Sequence, residues 1–89
     1  MLIRYSKNAV SALAKLRERD VAPILAEINK LSLDPCPLKL TPIPTKPYSH
    51  KMIPVGDWYI ALRRSVFRGE SGYFIMEIMD PEDYYYYSH

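Results

Sequence analysis

The sequence predicts an α+β domain in which a two-helix hairpin packs on one face of a small, mainly antiparallel sheet, in the order β-α-α-β-β-β. Two periodicities and one boundary carry the prediction. Apolar residues recur at helical spacing from Ser6 to Leu33, and apolar and aromatic residues alternate at strand spacing over 48–55, 58–67 and 73–79. Between these halves, six prolines and no glycine from position 35 to 54 make a stiff crossover.

Leu2-Ile3-Arg4-Tyr5 is a short apolar strand. Ser6 can accept from the first helical amides, and Ala9, Val10, Ala12, Leu13 and Leu16 then form one apolar stripe. The charged cluster Arg17-Glu18-Arg19-Asp20 marks a joint, and Asp20 is the expected cap of a second helix with Pro23 in its first turn. Val21, Ile24, Leu25, Ile28 and Leu31 share a face of that helix, giving a helical hairpin over 7–33. Asp34-Pro35-Cys36-Pro37 stops it.

Tyr48 to Val55 reads as a strand that Pro54 confines to an edge or a bulge. Gly56-Asp57 turns into the strand Trp58 to Phe67, Arg68 to Gly72 forms a hairpin loop, and Tyr73 to Met79 returns. One domain over 1–79 results, followed at 80–89 by an acidic tail with four consecutive tyrosines, where Pro81 blocks strand pairing. Strict alternation sends Ile53, Val55, Trp58, Ile60, Leu62, Phe74, Met76 and Ile78 toward the helices. His50, Met52, Tyr59, Ala61, Arg63, Tyr73, Ile75, Glu77 and Met79 then lie on an open face. The expected core is Leu13, Leu16, Ile24, Leu25, Ile28, Trp58, Ile60, Leu62, Met76 and Ile78.

Composition bounds the function. The lone Cys36 excludes an internal disulfide and a Cys-rich metal site, so no metal or cofactor is expected and a cytoplasmic setting is the default. No signal peptide is visible and no apolar run reaches about 18 residues, so no membrane is expected. Charge is divided sharply. All 12 Lys and Arg lie between Arg4 and Arg68 against five carboxylates, a net +7, whereas 69–89 holds five carboxylates and no Lys or Arg, a net −5. A basic body of this kind suits a polyanion.

The order of these signals resembles the RelE/ParE superfamily of small bacterial toxins. Asp34-Pro35 followed by Leu38-Lys39-Leu40 is similar to that family's Asp-Pro and Lys-Leu signals. Val55-Gly56-Asp57-Trp58 resembles its turn into the central strand, and Tyr85 matches its terminal tyrosine. The resemblance implies a toxin of a toxin–antitoxin system, an endoribonuclease that cuts messenger RNA free or on the ribosome and so inhibits translation. Its partners would be a cognate antitoxin and RNA or the ribosome. A homodimer or the antitoxin would cover the aromatic open face.

Such ribonuclease chemistry needs a base for the 2′-hydroxyl, an acid for the leaving oxygen and a cation for the phosphorane. The candidates are His50 as base, Glu77 as its alternative, Arg63 as phosphate clamp, and Tyr85 (or Tyr84) as proton donor or stacking platform, with Tyr59 beside them. Lys39, Lys46, Lys51, Arg64 and Arg68 are the candidate RNA-binding rim. Where the family typically carries arginines, this chain has Tyr59 and Asp80-Pro81. That difference supports a second reading, a ParE-like or degenerate RelE-like protein that acts by binding a protein without cleavage.

Overall fold

The structure, a computed structural model, describes residues 2–33, 41–43, 45–46 and 49–89. Lys39, Cys36 and the rest of 34–40 lie outside the described residues, as do Pro44, Pro47 and Tyr48. The elements are β1 (Leu2–Tyr5), α1 (Lys7–Lys15), α2 (Glu18–Leu33), β2 (Thr41–Pro42), β3 (His50–Val55), β4 (Trp58–Phe67), β5 (Glu70–Met79) and α3 (Pro81–Ser88). The described strands form one sheet in the order β1-β5-β4-β3-β2, in which the β1–β5 pair is parallel and the others are antiparallel. Among the described residues no helix is long and apolar enough to cross a membrane.

Ser6 caps α1 as its sequence position suggests, accepting from the Ala9 amide at 3.0 Å. The second helix starts earlier than expected. The Asp20 and Val21 amides donate to the Arg17 carbonyl, so Asp20 sits in the first turn and Pro23 falls inside the helix. Apart from the exposed Val10, both helices pack their stripes on one sheet face, where Ala9, Ile24, Ile28 and Leu31 meet Ile53, Ile60, Leu62 and Ile78. Leu25 is the exception in the expected helical core, turned outward and 37% exposed. Pro54 is tolerated because, among the described residues, β2 pairs with Lys51 and Met52 and not with Pro54.

Both tight hairpins use left-handed backbone. Gly56 has φ +57°, the pattern of a hairpin turn with glycine at its first central position. The second hairpin closes on Arg68 (φ 53°) and Gly69 (φ 80°), so the loop expected over 68–72 shrinks to two residues and β5 begins at Glu70. Gly72 is therefore a buried strand residue beside Leu2.

A β-bulge corrects the expected faces of β5. Ala61 pairs with Glu77 but Leu62 pairs with Ile75, so Met76 is an extra residue. One inserted residue inverts every side chain beyond it. Tyr73 and Ile75 enter the main core, Phe74 joins Arg63 on the second face, and Met76 belongs to a different cluster from the one expected. Ser6 braces the bulge, its hydroxyl donating to the Met76 carbonyl at 2.6 Å and its amide to the Ile75 carbonyl at 2.9 Å.

The last ten residues also depart from expectation. Asp80 caps α3 by accepting from the Asp83 amide at 2.8 Å, and Pro81 occupies the first turn, where its missing amide has no intrahelical acceptor to lose. Glu82 and Asp83 favour the same helix end electrostatically. What reads as a tail is a helix that covers part of the face expected to be open.

Candidate nucleic-acid interface

The second sheet face has a covered end and a bare end. Tyr84 and Tyr87, three residues apart on α3, turn down onto the strands. Tyr84 stacks on Tyr59 with ring centroids 4.3 Å apart and planes 14° from parallel. Beneath the pair, Ile43, Ala61 and Met79 form a second small core with Met52 and Met76. The eight residues of α3 span about 12 Å, against about 33 Å for the 10-residue strands. Among the described residues α3 therefore leaves the far end of the face uncovered.

There the register aligns one residue from each of four strands. Arg4 on β1 is opposite Phe74 on β5, Phe74 opposite Arg63 on β4, and Arg63 opposite His50 on β3. Burial lowers the His50 pKa below the ordinary 6.5, and the charges of Arg63 and then Lys46 push it the same way. Its Nδ1 is buried and finds no hydrogen-bond partner among the described residues. Lys46 lies 4.3 Å from the centre of the Tyr87 ring. Burial and, secondarily, the Glu77 carboxylate raise the Tyr87 pKa above its ordinary 10.0, so its hydroxyl stays protonated at neutral pH.

The residues expected to carry chemistry separate on this frame. His50, Tyr59, Arg63 and Glu77 share the second face, but only His50 and Arg63 face each other with Lys46 close by. Tyr59 is engaged by Tyr84, and Glu77 accepts from the Asn8 side chain at 2.8 Å. Tyr85 points away from the sheet, 58% exposed and stacked on His89 at 4.5 Å. Lys51 and Arg64 turn to the helix side, Lys51 beside Leu62 and Arg64 with its guanidinium 5.6 Å from the buried Tyr73 ring. Arg68 stands at the hairpin tip, 5.2 Å from the centre of the Phe67 ring. Arg4, Phe67, Phe74 and Tyr87 are not among the candidates the sequence offers. Asp80-Pro81 is the legible signal for Tyr87, because a cap there makes the tyrosine run helical and sends Tyr84 and Tyr87 inward.

No family model and no curated protein matches this sequence. Among solved structures, a chain of the RelB-RelE antitoxin-toxin complex from Methanococcus jannaschii superposes with a TM-score of 0.61 at 19% identity. The match covers 94% of this chain and 96% of that one. The fold is RelE-like. Among the described residues, α3 does not cover the second-face row of Arg4, Phe74, Arg63 and His50, with Lys46 beside it.

Proposed function

We propose that this chain is the toxin of a toxin–antitoxin pair, a cytoplasmic endoribonuclease that cuts messenger RNA, free or on the ribosome, and stops translation. The observation that carries this reading is an imidazole held below its ordinary pKa beside two cations on a partly bare sheet face. A neutral His50 accepts the 2′-hydroxyl proton as the 2′-oxygen attacks the neighbouring phosphorus. The bond from phosphorus to the 5′-oxygen breaks, leaving a 2′,3′-cyclic phosphate and a 5′-hydroxyl. Arg63 and Lys46 offset charge on the phosphorane. Tyr87, protonated and next to Lys46, gives the leaving oxygen its proton, the role expected of Tyr85.

The antitoxin partner follows from the fold's likeness to a chain solved in an antitoxin-toxin complex. Exposed Val66, Phe67, Tyr85 and Tyr86 offer apolar surface for that partner or for a second copy of the chain. A second reading, binding without cleavage, is favoured by the contacts that already engage Tyr59 and Glu77. Expression in a bacterium with messenger RNA and growth followed together separates the two. Ribonuclease action predicts growth arrest with cut messenger RNA, lost in His50→Ala. Arrest with intact messenger RNA, equal in wild type and His50→Ala, would leave the binding reading.

A further inference from the structure

We infer that two copies of this chain pair antiparallel about a two-fold axis, each α3 filling the end of the second face that the other copy's α3 leaves uncovered. Such a pair goes beyond the ribonuclease reading and holds whether or not the chain cuts RNA.

The outward side of α3 is acidic and aromatic. Tyr84 and Tyr87 hold the helix to its own sheet through the Tyr59 ring and the Lys46 ammonium. That seating turns Glu82, Tyr85 and Tyr86, spaced three and four residues apart, away from the sheet as one stripe. All three are exposed, Tyr86 by 71%. Among the described residues no cation pairs with Glu82 or with the neighbouring Asp83.

The other end of the same face is basic and aromatic. The Arg4 guanidinium lies 4.1 Å from the centre of the Phe67 ring and 5.8 Å from that of Phe74, and Arg63 lies 5.1 Å from Phe74. Among the described residues neither arginine is paired with a carboxylate, and Glu70, opposite Phe67, is the one member of the acidic segment there. Because α3 does not reach these rings, they lie lower than its outer surface by about 10 Å, the diameter of a helix. The face is a step, high and acidic at one end, low and basic at the other.

A two-fold axis across the strands sets each high end into the partner's low end, twice. Glu82 then meets Arg4 and Arg63, and Tyr85 and Tyr86 meet Phe67 and Phe74. Both complementary surfaces belong to one face of one chain, as a self-complementary contact requires. The uncovered stretch is about 20 Å long and about 14 Å across the Arg4-to-His50 row. Two reciprocal contacts of that size bury about 1,100 Å² in all, above the ~1,000 Å² expected of a specific interface. The pair also covers Arg63, so any chemistry there belongs to the separated chain.

The test is sedimentation of the purified full chain over a range of concentration and salt. Wild type should show a monomer–dimer equilibrium that moves toward monomer as salt rises. Glu82→Arg and Arg4→Glu should each weaken pairing by about 10- to 100-fold, since each sets like charges together in both contacts. Mixed in equal amounts the two variants should pair again, because one contact of the mixed dimer is then charge-reversed and the other is native. Tyr86→Ala should weaken pairing without changing its salt dependence. All three positions are exposed, so the variants keep the fold. Wild type monomeric up to about 1 mM, variants that pair like wild type, or a mixture no more dimeric than either variant alone would overturn the pair. Recovery on mixing in a chain that cuts no RNA leaves the pair standing and removes the ribonuclease reading. Cleavage of RNA by a chain that is always monomeric does the reverse.

Discussion

His50 connects the site to pH. Its folded pKa lies below the ordinary 6.5, so on acidification the unfolded chain takes up this proton first. Stability from this group is complete above about pH 6.5 and is lost as the pH falls toward the folded value. On the proposed ribonuclease reading, the same depression would place the acid limb of a pH–rate profile below 6.5. Arg63→Gln removes one of the charges responsible, so the limb should move to higher pH while the plateau rate falls. A pH–rate profile of the two proteins checks the direction, and an unmoved limb would remove His50 from the base role. Tyr73 poses a different question. It is 1% exposed, and its hydroxyl finds no hydrogen-bond partner among the described residues. A buried polar group in that state lowers stability, so Tyr73→Phe should raise it by about 1 kcal/mol. Urea denaturation at unchanged slope should record a higher midpoint.

At the level of helices and strands, the sequence is legible wherever a cap or turn residue sets the backbone. Ser6, the Gly56-Asp57 turn and the alternation of β4 all lie where their chemistry predicts. The bulge at Met76 is not legible, because it depends on which strand neighbour and which cap meet the chain there. Ser6 is 70 residues away in sequence. That single insertion turns Tyr73 and Ile75 into the core and brings Phe74 to the candidate interface. The α3 helix is legible in part: Asp80-Pro81 is a start signal, but four tyrosines in acidic company lack the apolar period of a packed helix. Gly72 holds β1 against β5, since a Cβ there would collide with the Leu2 backbone. Gly72→Ala should cost about 1–3 kcal/mol and loosen β1 first. Hydrogen exchange should then show the Ile3 to Tyr5 amides losing protection ahead of β4, and uniform loss would place the strain elsewhere.

Across the whole molecule, the charge division in the sequence becomes a partial division in space, with Glu70 alone of the acidic segment at the basic hairpin. Asp80, Glu82 and Asp83 gather at the start of α3, beside the Tyr59 end of β4, while Arg63, Arg64 and Arg68 occupy its other end. A polyanion is drawn to the hairpin end and repelled from the helix end. The layout of helices, turn and strands is enough to anticipate a RelE-like fold, whereas of the candidate residues the sequence offers, His50 and Arg63 are adjacent in register and the other contacts depend on α3 and the bulge. The most direct measurement incubates the purified chain with one RNA and with its fully 2′-deoxy counterpart. The ribose form alone should be cut, leaving a 2′,3′-cyclic phosphate, and His50→Ala should slow this by about 10²–10⁴-fold. Both strands left intact by a chain that binds them, or both cut alike, would contradict it.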